Sequence, residues 1–422
     1  MIYALILFLL TYVLMLAFQK YRPYIALGSA LIFVVTGMLP LNQVLSSVDF
    51  NVLLMIAGTM GTVAMMIESR MPNLMADVII DRVPNVKWAI VVLSLFAGIV
   101  SAFIDNVATV LMIAPIALAI ADRLEISPVG MIIAIAVSSN LQGAATLVGD
   151  TTSILLGGYA GMSFLDFFVY EGKPGIFFAV ELGAVLSAVI LLFLFRKETA
   201  PVVHGQRTEV TDCVPTVLLV GTVLLLIVAS LIPGMPHMIN GIICVGVLFI
   251  GLVYRCIRHK SIKAFLPPLK EVDFETIGLL FGLFICVGGI TEMGVVDAVA
   301  RLFTKLGNGN LFIIYTAIVW FSVLISAFID NIPYVATMLP VVQGIAMEMG
   351  VDPTLLYYGL LSGATLGGNL TPIGASANIT GIGILRHHGH TVKNSDFLRI
   401  GIPFTLTAVI PAYIYLWIFY AR

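Results

Sequence analysis

The sequence predicts an all-α polytopic membrane protein made of two inverted repeats. Three observations carry that reading. The 422-residue chain is 60% hydrophobic and only 10% charged, with mean hydropathy +1.08, against about 25% charged residues in a soluble domain. Apolar runs of membrane-spanning length follow one another along the whole chain. One hexamer, Ser101-Ala102-Phe103-Ile104-Asp105-Asn106, returns unchanged as Ser326-Ala327-Phe328-Ile329-Asp330-Asn331, 225 residues later.

Composition excludes several classes. The net charge of −2 comes with no basic run and no aromatic-basic interleaving, so nucleic acid is not a partner. Cys213, Cys244, Cys256 and Cys286 are scattered without CxxC spacing and read as apolar packing residues, not a disulfide framework or zinc site. There is no P-loop, which argues against an ATP site, and no cofactor is expected beyond sodium as a coupling ion. Residues 2–18 are apolar but are followed by Lys20 and Arg22, not by a small-residue cleavage site. They read as a first span rather than a signal peptide.

Taken in order, the spans fall near 2–18, 23–39, 49–69, 128–158, 176–195, 213–233, 237–254, 274–294, 353–383 and 397–420. Two regions, 87–122 and 309–350, are too long for one crossing and too short for two. Each carries its Asp-Asn pair near the middle, which predicts re-entrant hairpins with that pair at the tip. Non-helical backbone at such depth is tolerated only against protein or a wet cavity. The mixed stretches 70–86 and 295–308 read as short interfacial helices.

The repeat extends beyond the hexamers. Val48-Asp49-Phe50 matches Val272-Asp273-Phe274, Glu68 matches Glu292, and Gly143, Thr146 and Gly149 match Gly368, Thr371 and Gly374. The expected organisation is a first repeat over 1–196, a cytoplasmic linker over 197–212 and a second repeat over 213–422. Each repeat holds five spans and one hairpin, so the second begins inverted, as in many secondary transporters. Of the 21 Lys and Arg residues, only Lys173, Arg301, Lys305 and Arg422 fall on the side of the N-terminus. The opposite side is therefore cytoplasmic, both termini face outward, and the expected location is the cell (inner) membrane. No Lys or Arg is left in the middle of a span.

The residues with chemistry follow from cost. An ionisable group at membrane depth is expensive and marks function by default; Asp105-Asn106 and Asp330-Asn331 supply it twice. Asp and Asn at these positions also suit helix capping, and capping and cation binding are compatible. Two glycine-rich breaks interrupt long spans: 140–153, with Gly143, Thr146, Gly149 and Asp150, and 367–378, with Gly368, Asn369, Thr371, Pro372, Gly374, Ser376 and Asn378. Unwinding there frees carbonyls that a cation can ligate. Asp150 has no acidic mate, because Ala375 stands in its place. Glu68 and Glu292 read as interfacial, Glu181 as a cap matched to its helix dipole, and His387, His388 and His390 as a solvated loop cluster.

These motifs resemble a family. Ser101–Thr109, Val148-Gly149-Asp150-Thr151-Thr152 and Ser326–Met338 look like the ArsB/NhaD branch of the ion transporter superfamily. Within it, Ile373–Asn378 and the hairpins look most like NhaD-type sodium/proton antiporters and the melanosomal P protein. The divalent-anion/sodium symporters, whose tips read Ser-Asn-Thr, are more distant. The resemblance implies two hairpins, two broken helices, a homodimer and elevator-type movement. It also implies sodium sites between each tip and the facing break: Ser101 and Asn106 with 143–149, and Ser326 and Asn331 with 368–374. Related sequences often read Gly-Asp-Pro-Pro-Asn where this chain has Gly149-Asp150-Thr151-Thr152-Ser153.

The expected function is secondary active transport, with Asp105 and Asp330 as cation or proton carriers, Asn106 and Asn331 beside them as sodium ligands, and sodium/proton antiport as the first choice. Paired carboxylates with no buried base favour a small cation over an anion. Anion (dicarboxylate) symport and arsenite or antimonite export are the alternatives. An intramembrane aspartic protease and a passive channel are remote ones. The expected partners are a small ion and the lipid bilayer, and no enzymatic activity is expected.

Overall fold

The structure is a computed structural model and describes residues 1–202 and 208–421. Arg207, Arg422 and the middle of the expected linker lie outside the described residues. The chain folds into helices almost throughout. Two N-terminal helices, α1 (Ile2–Ala17) and α2 (Arg22–Val35), are followed by a short turn of helix, α3 (Val44–Ser47). Then come α4 (Phe50–Glu68), α5 (Met71–Ile80), α6 (Val86–Ser101), α7 (Asn106–Leu124), α8 (Val129–Gly143), α9 (Thr151–Ala160) and α10 (Ile176–Leu194). The second half has α11 (Val214–Leu231), α12 (Ile239–Arg258), α13 (Leu266–Lys270), α14 (Phe274–Glu292), α15 (Val295–Leu306) and α16 (Leu311–Ser326). It ends with α17 (Asn331–Met349), α18 (Thr354–Gly367), α19 (Ser376–His387) and α20 (Asn394–Tyr420). A two-stranded antiparallel ribbon before α10 pairs Val169 with Pro174 and Tyr170 with Lys173.

Eight of these helices are long and apolar enough to cross a membrane, or up to ten if each of two sharply bent pairs is one span. The protein is an integral membrane protein. Its many exposed large apolar side chains, such as Leu9, Leu31, Val185, Leu224, Phe249 and Phe321, suit a lipid-facing surface. The helix starting at Arg22 has 14 residues, about 21 Å at 1.5 Å per residue, so it is shorter than the expected span. The chain turns through 119° between α1 and the segment from Gln19 to Val35.

Helix ends are set by the same residues in both halves. Asp49 and Asp273 cap α4 and α14, accepting from Val52 N at 3.1 Å and Thr276 N at 2.9 Å. Asn85 and Asn310 cap α6 and α16, and Asp105 and Asp330 cap α7 and α17. Satisfying the orphan N–H groups of a first turn is what these side chains do best. The left-handed turn before α5 is made by Arg70 (φ 61°) and that before α15 by Gly294 (φ 71°); α7 ends on Glu125 (φ 52°) and α17 on Gly350 (φ 64°).

The halves also exchange helices. Gly58 of α4 lies on the Cys244 backbone of α12, and Gly282 of α14 lies on the Ala26 backbone of α2. A glycine at each crossing lets two backbones approach closely, the usual device where helices associate in lipid. The ends of the linker are fastened: Val86 N donates to Ala200 O at 2.9 Å, and Thr208 N and Oγ1 donate to Asp77 Oδ2 at 2.8 and 2.6 Å.

Candidate ion-binding site

The breaks fall where glycine and small polar residues replace the apolar run. α8 stops at Gly143 and α9 starts at Thr151; α18 stops at Gly367 and, after a single tight turn (Gly368–Leu370), α19 starts at Ser376. Each break packs against the turn of its neighbouring helix pair, α6–α7 or α16–α17. Thr146 Oγ1 donates to Ala102 O, and Thr371 Oγ1 donates to Ala327 O. Gly149 and Gly374 make this fit possible. A methyl group on Gly149 would lie 2.6 Å from Gly143 O, 2.7 Å from Ala102 O and 2.8 Å from Ser101 O. On Gly374 it would lie 2.5 Å from Gly368 O, 2.7 Å from Ser326 O and 2.9 Å from Ala327 O. Three carbonyl oxygens therefore crowd the glycine at each break, where no residue with a Cβ fits without displacing backbone.

Asp105 Oδ2 accepts from Val107 N at 2.9 Å and Ala108 N at 3.1 Å, while its Oδ1 has no protein donor among the described residues. Asp150 caps α9: Oδ1 accepts from Thr151 N at 2.8 Å, and Oδ2 accepts from Thr152 Oγ1 at 2.6 Å. Thr152 is itself 2.9 Å from Thr365 Oγ1 of α18. Both aspartates line a cavity of about 550 Å³. Its wall also carries Glu68, Glu271, Asp273, Asn106, Asn331 and Ser376, and among the described residues includes no Lys, Arg or His. Glu68 is neutralised from outside the wall by Arg255, with N–O distances of 2.5 and 2.8 Å. Among the described residues, Asp105 and Asp150 have no such partner.

A chain of amides that begins at the cavity-lining Asn106 ties the two halves together. Asn106 Nδ2 donates to Asn140 Oδ1 at 3.0 Å. Asn140 Nδ2 lies 2.7 Å from Thr365 O and 3.0 Å from Asn369 Oδ1. Asn369 Nδ2 in turn donates to Val137 O at 2.8 Å. Ser139 Oγ lies 3.0 Å from Asn106 O and 3.1 Å from Ser101 Oγ. In the second half, Ser326 Oγ donates to Ala364 O at 2.5 Å, and Asn378 Nδ2 donates to Gly368 O at 3.0 Å. Asn331 Nδ2 and Asn378 Oδ1 are buried without a protein partner among the described residues.

A family model described as citrate transporter (CitMHS) matches residues 6–363. The chain belongs to this citrate transporter family. An uncharacterized transporter of Mycobacterium tuberculosis is 32% identical over 427 residues, covering 99% of this chain and 98% of its own. The P protein of Homo sapiens, which the motifs of the breaks and tips resemble, is 26% identical, with 86% of this chain and 52% of that protein covered. Among solved structures, the Alcanivorax borkumensis YdaH transporter superposes with TM-score 0.63 at 14% identity, covering 89% of this chain and 87% of that one. This member of the citrate transporter family is therefore a membrane transporter with a polytopic all-helical fold; the family and these relatives are transporters, not enzymes.

Within this family member, the residues singled out from sequence do not all meet. Asp105, Asn106, Asp150, Asn331 and Ser376 share the cavity. Ser101, Gly143, Thr146 and Gly149, like Ser326, Gly368, Thr371 and Gly374, build the carbonyl cradles and their latches. Asn369 and Asn378 are bonded inside the helix packing. Asp330 turns elsewhere: its Oδ1 accepts from Ile332 N at 3.2 Å, and its Oδ2 pairs with Arg22 Nη1 at 3.1 Å. Arg22 is only 19% exposed and reaches a helix cap 308 residues away, a contact with no local sequence signal. Asn140, Thr152 and Thr365 were not singled out either, although Asn140 and Thr152 sit in the polar run of the first break. Among the described residues no cluster of three or more His, Cys, Asp or Glu is placed to hold a metal ion.

Proposed function

We propose that this transporter carries a small cation, sodium first, bound at Asp105 and Asp150 and exchanged for protons. The observation that carries the reading is the cavity wall. Among the described residues it has two carboxylates without an ion-pair partner at the starts of α7 and α9, oxygen donors around them and no basic side chain. A base-free acidic pocket favours a cation or a proton and opposes a bare anion.

The rest of the reading rests on the repeat. A second cavity of about 570 Å³ is lined by Asp49, Glu292, Phe284, Val287 and Thr291, the repeat mates of Asp273, Glu68, Met60, Val63 and Ile67 in the first. Two repeat-related cavities suit alternating access by inverted repeats, with helix pairs α6–α7 and α16–α17 as re-entrant hairpins and the breaks moving as one body. Homodimeric assembly, elevator-type motion, repeat boundaries at 196 and 213, and both termini outside the inner membrane belong to this proposal.

A second reading has its own support. Ala375 leaves the start of α19 without a side-chain cap, and Ser376 and Asn331 line the same cavity. A helix N-terminus with two polar side chains accepts a carboxylate. Together with the family's description as citrate transporters, this supports co-transport of a carboxylate with the cation.

Proteoliposomes separate the readings. With a pH-sensitive dye trapped inside acid-loaded vesicles, external sodium or lithium is expected to alkalinise the lumen, and Asp105→Asn is expected to abolish the response. Sodium-dependent uptake of labelled citrate without dye response selects the second reading. Neither response sinks both.

A further inference from the structure

The second tip carries a cation that the chain itself provides. Asp330 Oδ2 lies 3.1 Å from Arg22 Nη1, and the two side chains are 18% and 19% exposed. Arg22 is held at its other end, where Nε donates to Met15 O at 3.3 Å. The same N-terminal unit grips the first turns of α17 a second time: Tyr12 Oη donates to Pro333 O at 2.6 Å and meets Thr337 Oγ1. A guanidinium fixed this close repels a second cation from the carboxylate.

Among the described residues, the first tip has no such group. The glycine crossings set the correspondence between α2 and α12, since Gly282 lies on Ala26 and Gly58 lies on Cys244. Four residues before Ala26 is Arg22; four residues before Cys244 is Asn240, buried and neutral. The position that supplies a charge to one tip is uncharged at the other. Asp105 meets only backbone N–H groups and lines the cavity, whereas the cavity wall includes Asn331 and Ile332 but not Asp330.

We infer that Arg22 is a resident counter-cation that closes the second cation site, so that the cargo cation binds at the Asp105–Asp150 half alone. Arg22 is a specificity-determining residue acting through Asp330, and this inference rests on the cation reading above. It predicts the stoichiometry of the transporter rather than its cargo. Arg22→Gln frees the Asp330 carboxylate and admits another cation, while the neutral pair Arg22→Gln/Asp330→Asn removes both charges and restores the parent behaviour.

The test is equilibrium binding of radioactive sodium to the detergent-purified full chain, with proteoliposome flux measured on the same preparations. The expected result is an extra equivalent of sodium in Arg22→Gln over the parent, parental binding in Arg22→Lys, and parental binding and flux in the neutral pair. Parental stoichiometry in a folded Arg22→Gln overturns the inference. So does a folded neutral pair without flux, because Asp330 would then be a carrier. If Arg22→Gln does not fold, the neutral pair decides alone. Asp105→Asn runs beside them: sodium binding that persists in it, or a parent that binds none, refutes the cation reading and this inference with it. Binding lost in Asp105→Asn with a silent neutral pair refutes this inference only.

Discussion

Arg22 and Asp330 form an ion pair at 3.1 Å across 308 residues of sequence, while the identical hexamer in the first half leaves Asp105 without a basic partner among the described residues. The two tips share sequence and backbone, but not electrostatics. Replacing either aspartate by asparagine therefore has different consequences. Asp105→Asn keeps a cap acceptor and is expected to fold normally while losing cation-driven flux by ~100-fold or more, the scale for removing a charge on which binding depends. Asp330→Asn strands Arg22 and is expected to cost about 3 kcal/mol of stability. Thermal unfolding followed beside flux separates the two; equal melting temperatures would contradict the difference.

The glycines at the breaks test the carbonyl cradles. Gly149→Ala and Gly374→Ala push a methyl group to within 2.5–2.9 Å of three carbonyl oxygens, an overpacking that costs roughly 1–3 kcal/mol. Gly221 of α11 has nothing within 4 Å of an added methyl, so Gly221→Ala is expected to be neutral or to stabilise by up to about 1 kcal/mol. A melting temperature lowered in the first two variants and not in the third is the expected pattern.

Much of this was legible in the chain. The breaks show because Gly143, Gly149, Gly368 and Gly374 interrupt apolar runs at one repeat interval, and the tips show because carboxylates in apolar sequence are costly. The asymmetry of the breaks is also readable, as Asp150 against Ala375. What sequence does not display is pairing between halves. Asn140 meets Asn369, Thr152 meets Thr365, and Arg22 meets Asp330 only after the halves interlock at Gly58 and Gly282. No periodicity encodes such contacts. Arg22, following the first apolar run, has the pattern of an ordinary flanking charge.

Asn140 is the strongest case for that interlock. Its amide accepts from Asn106 and lies within bonding distance of Asn369 and Thr365 O, and it is fully buried. Asn140→Leu strands the amide of Asn106 and the Oδ1 of Asn369, and each buried unsatisfied group costs about 1–3 kcal/mol. The variant is expected to lose stability on the order of 2–4 kcal/mol and to lose flux along with it. Flux that survives at full rate in a destabilised Asn140→Leu protein would limit the amide chain to packing.

Two repeat-related αL helix ends offer a prediction that involves no site residue. α7 and α17 both finish in the left-handed region, at Glu125 with φ 52° and at Gly350 with φ 64°. An L-residue there crowds its Cβ against the following carbonyl, at roughly 1 kcal/mol, whereas glycine adopts the conformation without that penalty. Glu125→Gly should therefore raise the melting temperature, and Gly350→Ala should lower it by a similar amount, with transport unchanged in both. The repeat makes the comparison internal, since both positions end equivalent helices of the same length. Calorimetry or fluorescence-detected unfolding of the two variants decides it: equal shifts of opposite sign assign the difference to backbone conformation. A Glu125→Gly protein less stable than the parent would mean that the Glu125 side chain contributes more than its strain costs.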